Sequence, residues 1–353
     1  MPGPTVLRQR MQINDLRVAH APFYARWVAP WLNDPRDAVF VGLIAQCLAF
    51  GACGIALFFA GSHVWQLAPF YWAGLLAVFL DRFTLMLHCT SHRQLFAPKY
   101  RVLNQCIPWL IGPFFGQTPE TYFAHHMGMH HSEENLPGDL SSTMHFQRDR
   151  FGHWLVYWSR FLLFGLPELG RYMYTHKRAR MLRKIVIGES AYWSVAALAL
   201  YFRPAAALVV LLIPLFVIRT LMMMGNWGQH AFIAQGGAAN PYLASITCIN
   251  SRYNRRCFND GYHIGHHLQA RAHWTEYPVH FEDNLAEYAK QDAIVFEGID
   301  FFAVWLMLMT GSWSTLARRF VQLPGAPVRD QAEIVAFLKS RVKPVSLLAE
   351  AAE

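Results

Sequence analysis

Charge is scarce in this chain. Only 15% of its 353 residues are Asp, Glu, Lys or Arg, against 54% hydrophobic, and the mean hydropathy is +0.17. That balance excludes a disordered, highly charged chain and points to a membrane protein, for which length says little about domain count. Cysteine is equally sparing: Cys47, Cys53, Cys89, Cys106, Cys248 and Cys257 form no C-x-x-C pair. A zinc knuckle and a secreted disulfide framework are therefore excluded, and the thiols read as packing residues, with Cys89 set apart by its place between two histidines. No apolar h-region opens the chain, so residues 1–37, with Arg8, Arg10, Arg17, Arg26 and Arg36, read as an interfacial or cytosolic arm rather than a cleaved signal peptide. Internal repeats and low-complexity segments are absent. The net charge of +8 comes without an RRM, helix-turn-helix or zinc-finger pattern, so it reads as the basic surplus of a membrane protein's cytoplasmic face and not as a nucleic-acid footprint.

Long uncharged runs are what the chain does have. Residues 38–61 are free of charge and long enough to cross a ~30 Å hydrocarbon core. After the short Ser62–His63 link, residues 64–80 are again uncharged, and the helix is expected to continue past Asp81 and Arg82 to His92. Residues 185–202 and 205–224 make a second pair, split by Arg203-Pro204. The expected fold is thus all-α and integral to the membrane, with four spans in two hairpins, so that everything outside them lies on one face. That face is expected to carry every Lys and Arg except Arg203, which makes it cytoplasmic. Residues 102–116 read as re-entrant or interfacial, 151–169 as a helix in the headgroup plane, and 292–320 as a soluble or interfacial helix rather than a fifth span. The expected division is an arm over 1–37, a membrane domain over 38–320 with a helical cap, and a tail over 321–353 containing a short helix over 332–342.

Histidine organises the rest. His88-x-x-x-His92, His126-x-x-x-His130-His131 and His263-x-x-His266-His267, with the isolated His230 after the last span, supply nine candidate ligands. One metal ion does not need so many, and two is the natural count. All nine are expected on the same side of the membrane, just beyond the ends of the spans. His125 rivals His126, but only His126 stands four residues before His130. His20, His63, His145, His153, His176 and His280 read as ordinary packing or surface residues. Imidazole without matching thiolates disfavours structural zinc and favours redox-active iron with open positions for O₂. Asp81, Glu133, Glu134, Asn135, Asp139 and Asp260 lie beside the clusters as candidates to orient the rings. A metal transporter would place its ligands within the spans, and a haem protein needs only two axial histidines per haem, so neither non-catalytic alternative accounts for the set.

In these boxes, their order and the four-span pattern, residues 38–290 resemble the membrane fatty-acid desaturase and hydroxylase superfamily. The resemblance implies that His88, His92, His126, His130, His131, His263, His266 and His267 bind two irons. It also implies that His230, in Asn226-Trp-Gly-Gln-His230, matches the isolated histidine after the last span. Asn226 is then expected to reach an iron through water, and His273 to support the third box, which with Tyr262 and Trp274 is similar to that of bacterial acyl desaturases. The H-x-x-x-H-H spacing of the second box, with Asp139-Leu-Ser-Ser after it, is also similar to the alkane monooxygenases. Fatty-acid desaturation is the expected activity, with hydroxylation or oxidative decarboxylation to a terminal alkene as the alternative. All begin with O₂-dependent removal of hydrogen from an unactivated C–H bond. No His-Pro-Gly-Gly haem motif or cysteine cluster is present, so the resemblance implies a separate electron carrier of ferredoxin, rubredoxin or cytochrome b5 type. Arg252, Arg255 and Arg256 are candidates to meet it, or to meet lipid headgroups. A bacterial inner membrane, with both termini cytoplasmic, is the expected location.

Overall fold

The computed structural model describes residues 12–345; Arg8 and Arg10 lie outside them. Among the described residues, four helical runs are long and apolar enough to cross a membrane: α1 (Pro35–Leu57), α2 (Gly61–His92), α3 (Ala179–Phe202) and α4 (Pro204–Gln229). Their apolar composition sustains them through Pro69 and Pro214 and through widened turns at Leu75–Phe79 and Leu208–Leu212, and the two short links between them have local causes. Gly61, at φ 58°, takes the left-handed conformation that turns the chain between α1 and α2. Arg203, ahead of a proline, leaves helical geometry between α3 and α4. Residues 98–115 form tight and wide turns rather than a crossing helix. A single helix, Phe151–Thr175, covers the stretch expected in the headgroup plane, and Phe151, Leu155, Val156, Leu163 and Phe164 are exposed along it.

Two expectations need correcting. Residues 292–320 are not one helix: Val295–Glu297 is a short strand, paired in parallel with Thr247–Ile249, followed by helices Phe301–Met309 and Trp313–Arg319. Gly298 at φ 72° and the Asp300 cap, which accepts from the Ala303 amide, explain the break. Nor does Arg203 alone depart from the basic face, because Arg219 sits on α4, 3.8 Å from the Glu189 carboxylate on α3. Glu189 also accepts from the Thr118 and Thr121 hydroxyls at 2.5 and 2.6 Å and from the Trp193 indole at 2.9 Å. Next to it, a Cβ on Gly188 would meet the Pro119 carbonyl oxygen at 1.9 Å, so α3 is docked directly on the segment that leads into the second histidine box.

Segments beyond the four long helices are held together by an unusual cation. Arg148 is fully buried, has no carboxylate partner among the described residues, and donates instead to the carbonyls of Thr143, Met144, Phe146, Ala231, Arg341 and Lys343. Burial lowers its guanidinium to about 9. These bonds tie the end of helix Gln331–Arg341 to the segments on either side of the histidine boxes. Arg148→Met should therefore lower the unfolding free energy in detergent by about 3 kcal/mol or more. Arg148→Lys should recover little of it, because three donors on one nitrogen cannot span the same carbonyls. Chemical denaturation of the three proteins checks this, and a lysine variant as stable as the parent would refute it.

Candidate metal centre

The histidines arrive from four directions. His88 and His92 stand one turn apart at the end of α2, His230 immediately follows α4, and His263, His266 and His267 share the short helix His263–Leu268. His126 to His130 form a widened helical turn, closed by a bond from the His131 amide to the His126 carbonyl. A regular helix stacks residues i and i+4 on one face. Here His126 and His130 are delivered to different groups, and widened turns of this kind recur at functional sites.

Two groups result. His88, His92, His126 and His266 each offer a ring nitrogen within 4.8 Å of the others, and so do His130, His230, His263 and His267. His131 completes the first, its Nε2 being 3.0 Å from that of His266. The groups adjoin, with the His131 and His267 rings 5.5 Å apart. All nine residues singled out from spacing are thus brought together, while His125 is in neither group.

The nitrogens converge as ligands do. Nε2 pairs lie 3.2 Å apart for His88 and His266, 2.8 Å for His92 and His126, 3.1 Å for His230 and His263, and 3.0 Å for His263 and His267. Imidazole nitrogens about 2.0–2.1 Å from a common ion, roughly at right angles, have this spacing. Several Nδ1 atoms are turned outward to acceptors. His130 Nδ1 donates to Asp139 at 2.6 Å and His230 Nδ1 to the Ala244 carbonyl at 3.0 Å, while His266 Nδ1 is hydrogen-bonded with the Tyr277 hydroxyl at 3.1 Å and His88 Nδ1 faces Asp260 at 3.4 Å. A proton held on Nδ1 leaves the Nε2 lone pair free for metal. The donor set therefore fits a metal site.

Electrostatics agrees with this arrangement. Burial, and then the neighbouring imidazoles, push His126, His263, His266 and His267 well below the ordinary histidine value, and lower His131 and His230 to about 3. Asp139, beside His130 and held by the Ser141 amide and hydroxyl, stays well below the usual carboxylate range despite its burial.

Not every expected neighbour reaches a ring. Asp139 and Asp260 do; Glu133 instead accepts from Tyr172 at 2.5 Å, and Asp81 pairs with Arg256. The buried Asn135 accepts from the Thr143 amide, and Glu134 takes a left-handed turn. His273 bonds Asp37 at 2.9 Å, in a separate group with Asp34, whose carboxylate is taken by Arg36 and Arg93. That group braces the start of α1 against the loop after the third box. Asn226 donates to the Ser141 carbonyl and the Tyr157 hydroxyl and lines a cavity of about 550 Å³, a volume typical of ligand sites. Leu80, Leu221 and Met222 give that cavity an apolar wall, and His88, His126, His130 and His263 border it. Tyr277, the Ala244 carbonyl and Tyr122, stacked on His126 at 5.3 Å, were not legible in the spacing.

A family model described as fatty acid desaturase matches residues 62–298, well over half of the chain. No curated protein and no solved structure matches.

Two outcomes follow for the metal centre. Asp139→Asn should weaken metal binding about 10- to 100-fold, read by competition with a chelator, because the ring it orients loses its tautomer; unchanged affinity would refute this role. Stability of the metal-free protein should respond to pH with a definite sign. His131 and His230 are protonated near 6.5 when unfolded but only near 3 when folded, so the unfolded state binds more protons between those values. The stability they contribute is complete above pH ~6.5 and is lost as pH falls toward about 3, which denaturation in detergent across that window checks.

Proposed function

Because the chain belongs to the fatty acid desaturase family, we propose that it is a membrane-bound, O₂-dependent di-iron oxidoreductase that desaturates a fatty acid or fatty-acyl chain. The single observation that carries the reading is the pair of histidine groups bordering an apolar cavity of about 550 Å³. His88, His92, His126, His131 and His266 would hold one iron, and His130, His230, His263 and His267 the other. Such a centre, when bound, supplies oxidising power for an unactivated C–H bond, drawn from O₂ and two electrons.

The chain's own residues do the rest. Asp139, Asp260, Tyr277 and the Ala244 carbonyl hold the rings in register, and Asn226, its amide nitrogen taken by Ser141 and Tyr157, would keep its side-chain oxygen for water beside the centre. Leu80, Leu221 and Met222 exclude water and confine one methylene beside the histidines, which turns a random encounter into a positioned one. Electrons come from a separate carrier of ferredoxin, rubredoxin or cytochrome b5 type. The histidine side of the spans faces the cytoplasm, as do both termini, and a bacterial inner membrane is the setting proposed. The H-x-x-x-H-H spacing of His126, His130 and His131 favours hydroxylation or oxidative decarboxylation as the second reading.

A host expressing the protein or His266→Ala, fed deuterated fatty acids, should yield a new double bond at a fixed position in the parent alone, by GC-MS of lipids, free acids and headspace. A hydroxylated product, or an alkene one carbon shorter, would transfer the assignment to the second reading. Identical profiles across all fractions would overturn the acyl-chain reading.

A further inference from the structure

α2 forms one wall of the cavity. Leu76 and Asp81 line it, and Leu76 is 48% exposed on a helix apolar enough to span the membrane, so this end of the cavity meets lipid. Arg256 is joined to that wall through Asp81, which lines the cavity. Arg256 ends the short helix Arg252–Arg256, whose Tyr253 lines the cavity and donates to Asp260 at 2.8 Å. Arg256 grips Asp81 through Nε and Nη2, and its Nη2 also donates to the carbonyls of Ala77 and Val78 at 2.7 and 2.8 Å. Those carbonyls belong to the widened turn Leu75–Phe79.

The pair is an odd one for a brace. Both side chains are partly exposed, 39% for Arg256 and 29% for Asp81, and an exposed ion pair contributes little to stability. Its geometry is that of a guanidinium fork on a carboxylate, the arrangement that recognises carboxylates in general. The bonds to Ala77 and Val78 hold the guanidinium at that wall independently of Asp81. Arg252 and Arg255, exposed on the same helix, add positive charge there.

We propose that Arg256 binds the carboxylate of a free fatty acid at the lipid-facing mouth of the cavity, and that Asp81 holds this place until the substrate's carboxylate displaces it. The inference rests on the acyl-chain reading above and narrows its substrate to a chain with an unesterified acid end. The two halves of the pair then have opposite effects on binding: Arg256 attracts the acid and Asp81 competes with it. A structural brace would be weakened by either change alike.

The test is equilibrium binding of labelled dodecanoic acid and of methyl dodecanoate to the full-length, iron-loaded protein in detergent, with iron content measured alongside. Asp81→Asn should bind the acid about tenfold more tightly and Arg256→Gln about tenfold more weakly, as expected for one charge-assisted hydrogen-bonded contact. Ester binding should change less than about twofold in both. Should Arg256→Gln lose its iron, Arg256→Lys carries the test, since it keeps the charge but not the fork and should weaken acid binding by a smaller factor with the ester unaffected. Shifts in the same direction for both substitutions, equal losses for acid and ester, or no change in acid binding would each overturn the assignment of Arg256 while leaving the acyl-chain reading standing. Failure of the parent to bind either probe would overturn both.

Discussion

Nine imidazoles gathered in one place, seven of them buried and His92 and His131 half-buried, are tolerable only if they remain neutral and if their nitrogens have something to bind. Charged, they would repel one another in surroundings that screen little; neutral but unpaired, each would forfeit hydrogen bonds to water. The structure meets the first condition through burial, which holds His126, His263, His266 and His267 far from protonation. It meets the second in part by division of labour within the ring: His130, His230 and His266 turn Nδ1 outward to Asp139, the Ala244 carbonyl and the Tyr277 hydroxyl, with Nε2 inward, while the buried Nδ1 atoms of His92 and His263 have no partner among the described residues. Facing lone pairs are stable only when a cation lies between them. The centre is thus a device whose parts make sense together, in the metal-bound state.

Much of the surrounding architecture serves that convergence. The apolar helices deliver histidines from their ends, where the chain leaves the hydrocarbon-like surroundings and polar side chains can be satisfied. The close contact at Gly188 and the Glu189 cluster fasten α3 to the segment that carries His126 onward. Arg148 gathers carbonyls from the loop before helix Phe151–Thr175, from the residue after His230 and from the end of helix Gln331–Arg341. Rigidity far from the histidine groups still sets where their nitrogens point, because a shift of an ångström in any of these segments would disperse the Nε2 atoms.

What could be read from spacing and what could not divide along a physical line. The boxes were legible because helical periodicity puts His88 with His92 and His263 with His267 on single faces, whatever the rest of the chain does. Asp139 and Asp260 were only candidates among several carboxylates, since proximity in sequence does not say which one turns inward. Asp81 shows the limit: two turns before His88 it looked like a ring-orienting residue, yet it pairs with Arg256, 175 residues away. Arg219 and Glu189 on neighbouring spans escaped notice because each is one charge in a long apolar run, and only their juxtaposition explains both. The interrupted segment 292–320 was misjudged as one helix because its apolar content outweighed Gly298 and Asp300, whose effect depends on a strand partner at Thr247–Ile249.

Composition and periodicity by themselves determined the apolar, mainly helical character of this protein, its four long apolar helices and the pairing of His88 with His92 and of His263 with His267, because these follow from local hydropathy and from the fixed pitch of a helix. How the histidines divide into two groups, which nitrogen of each ring faces inward, which carboxylates support them and which residues line the cavity were decided by tertiary structure alone. Each of those depends on groups far apart in the chain meeting within a few ångströms, and no local rule of spacing encodes that distance.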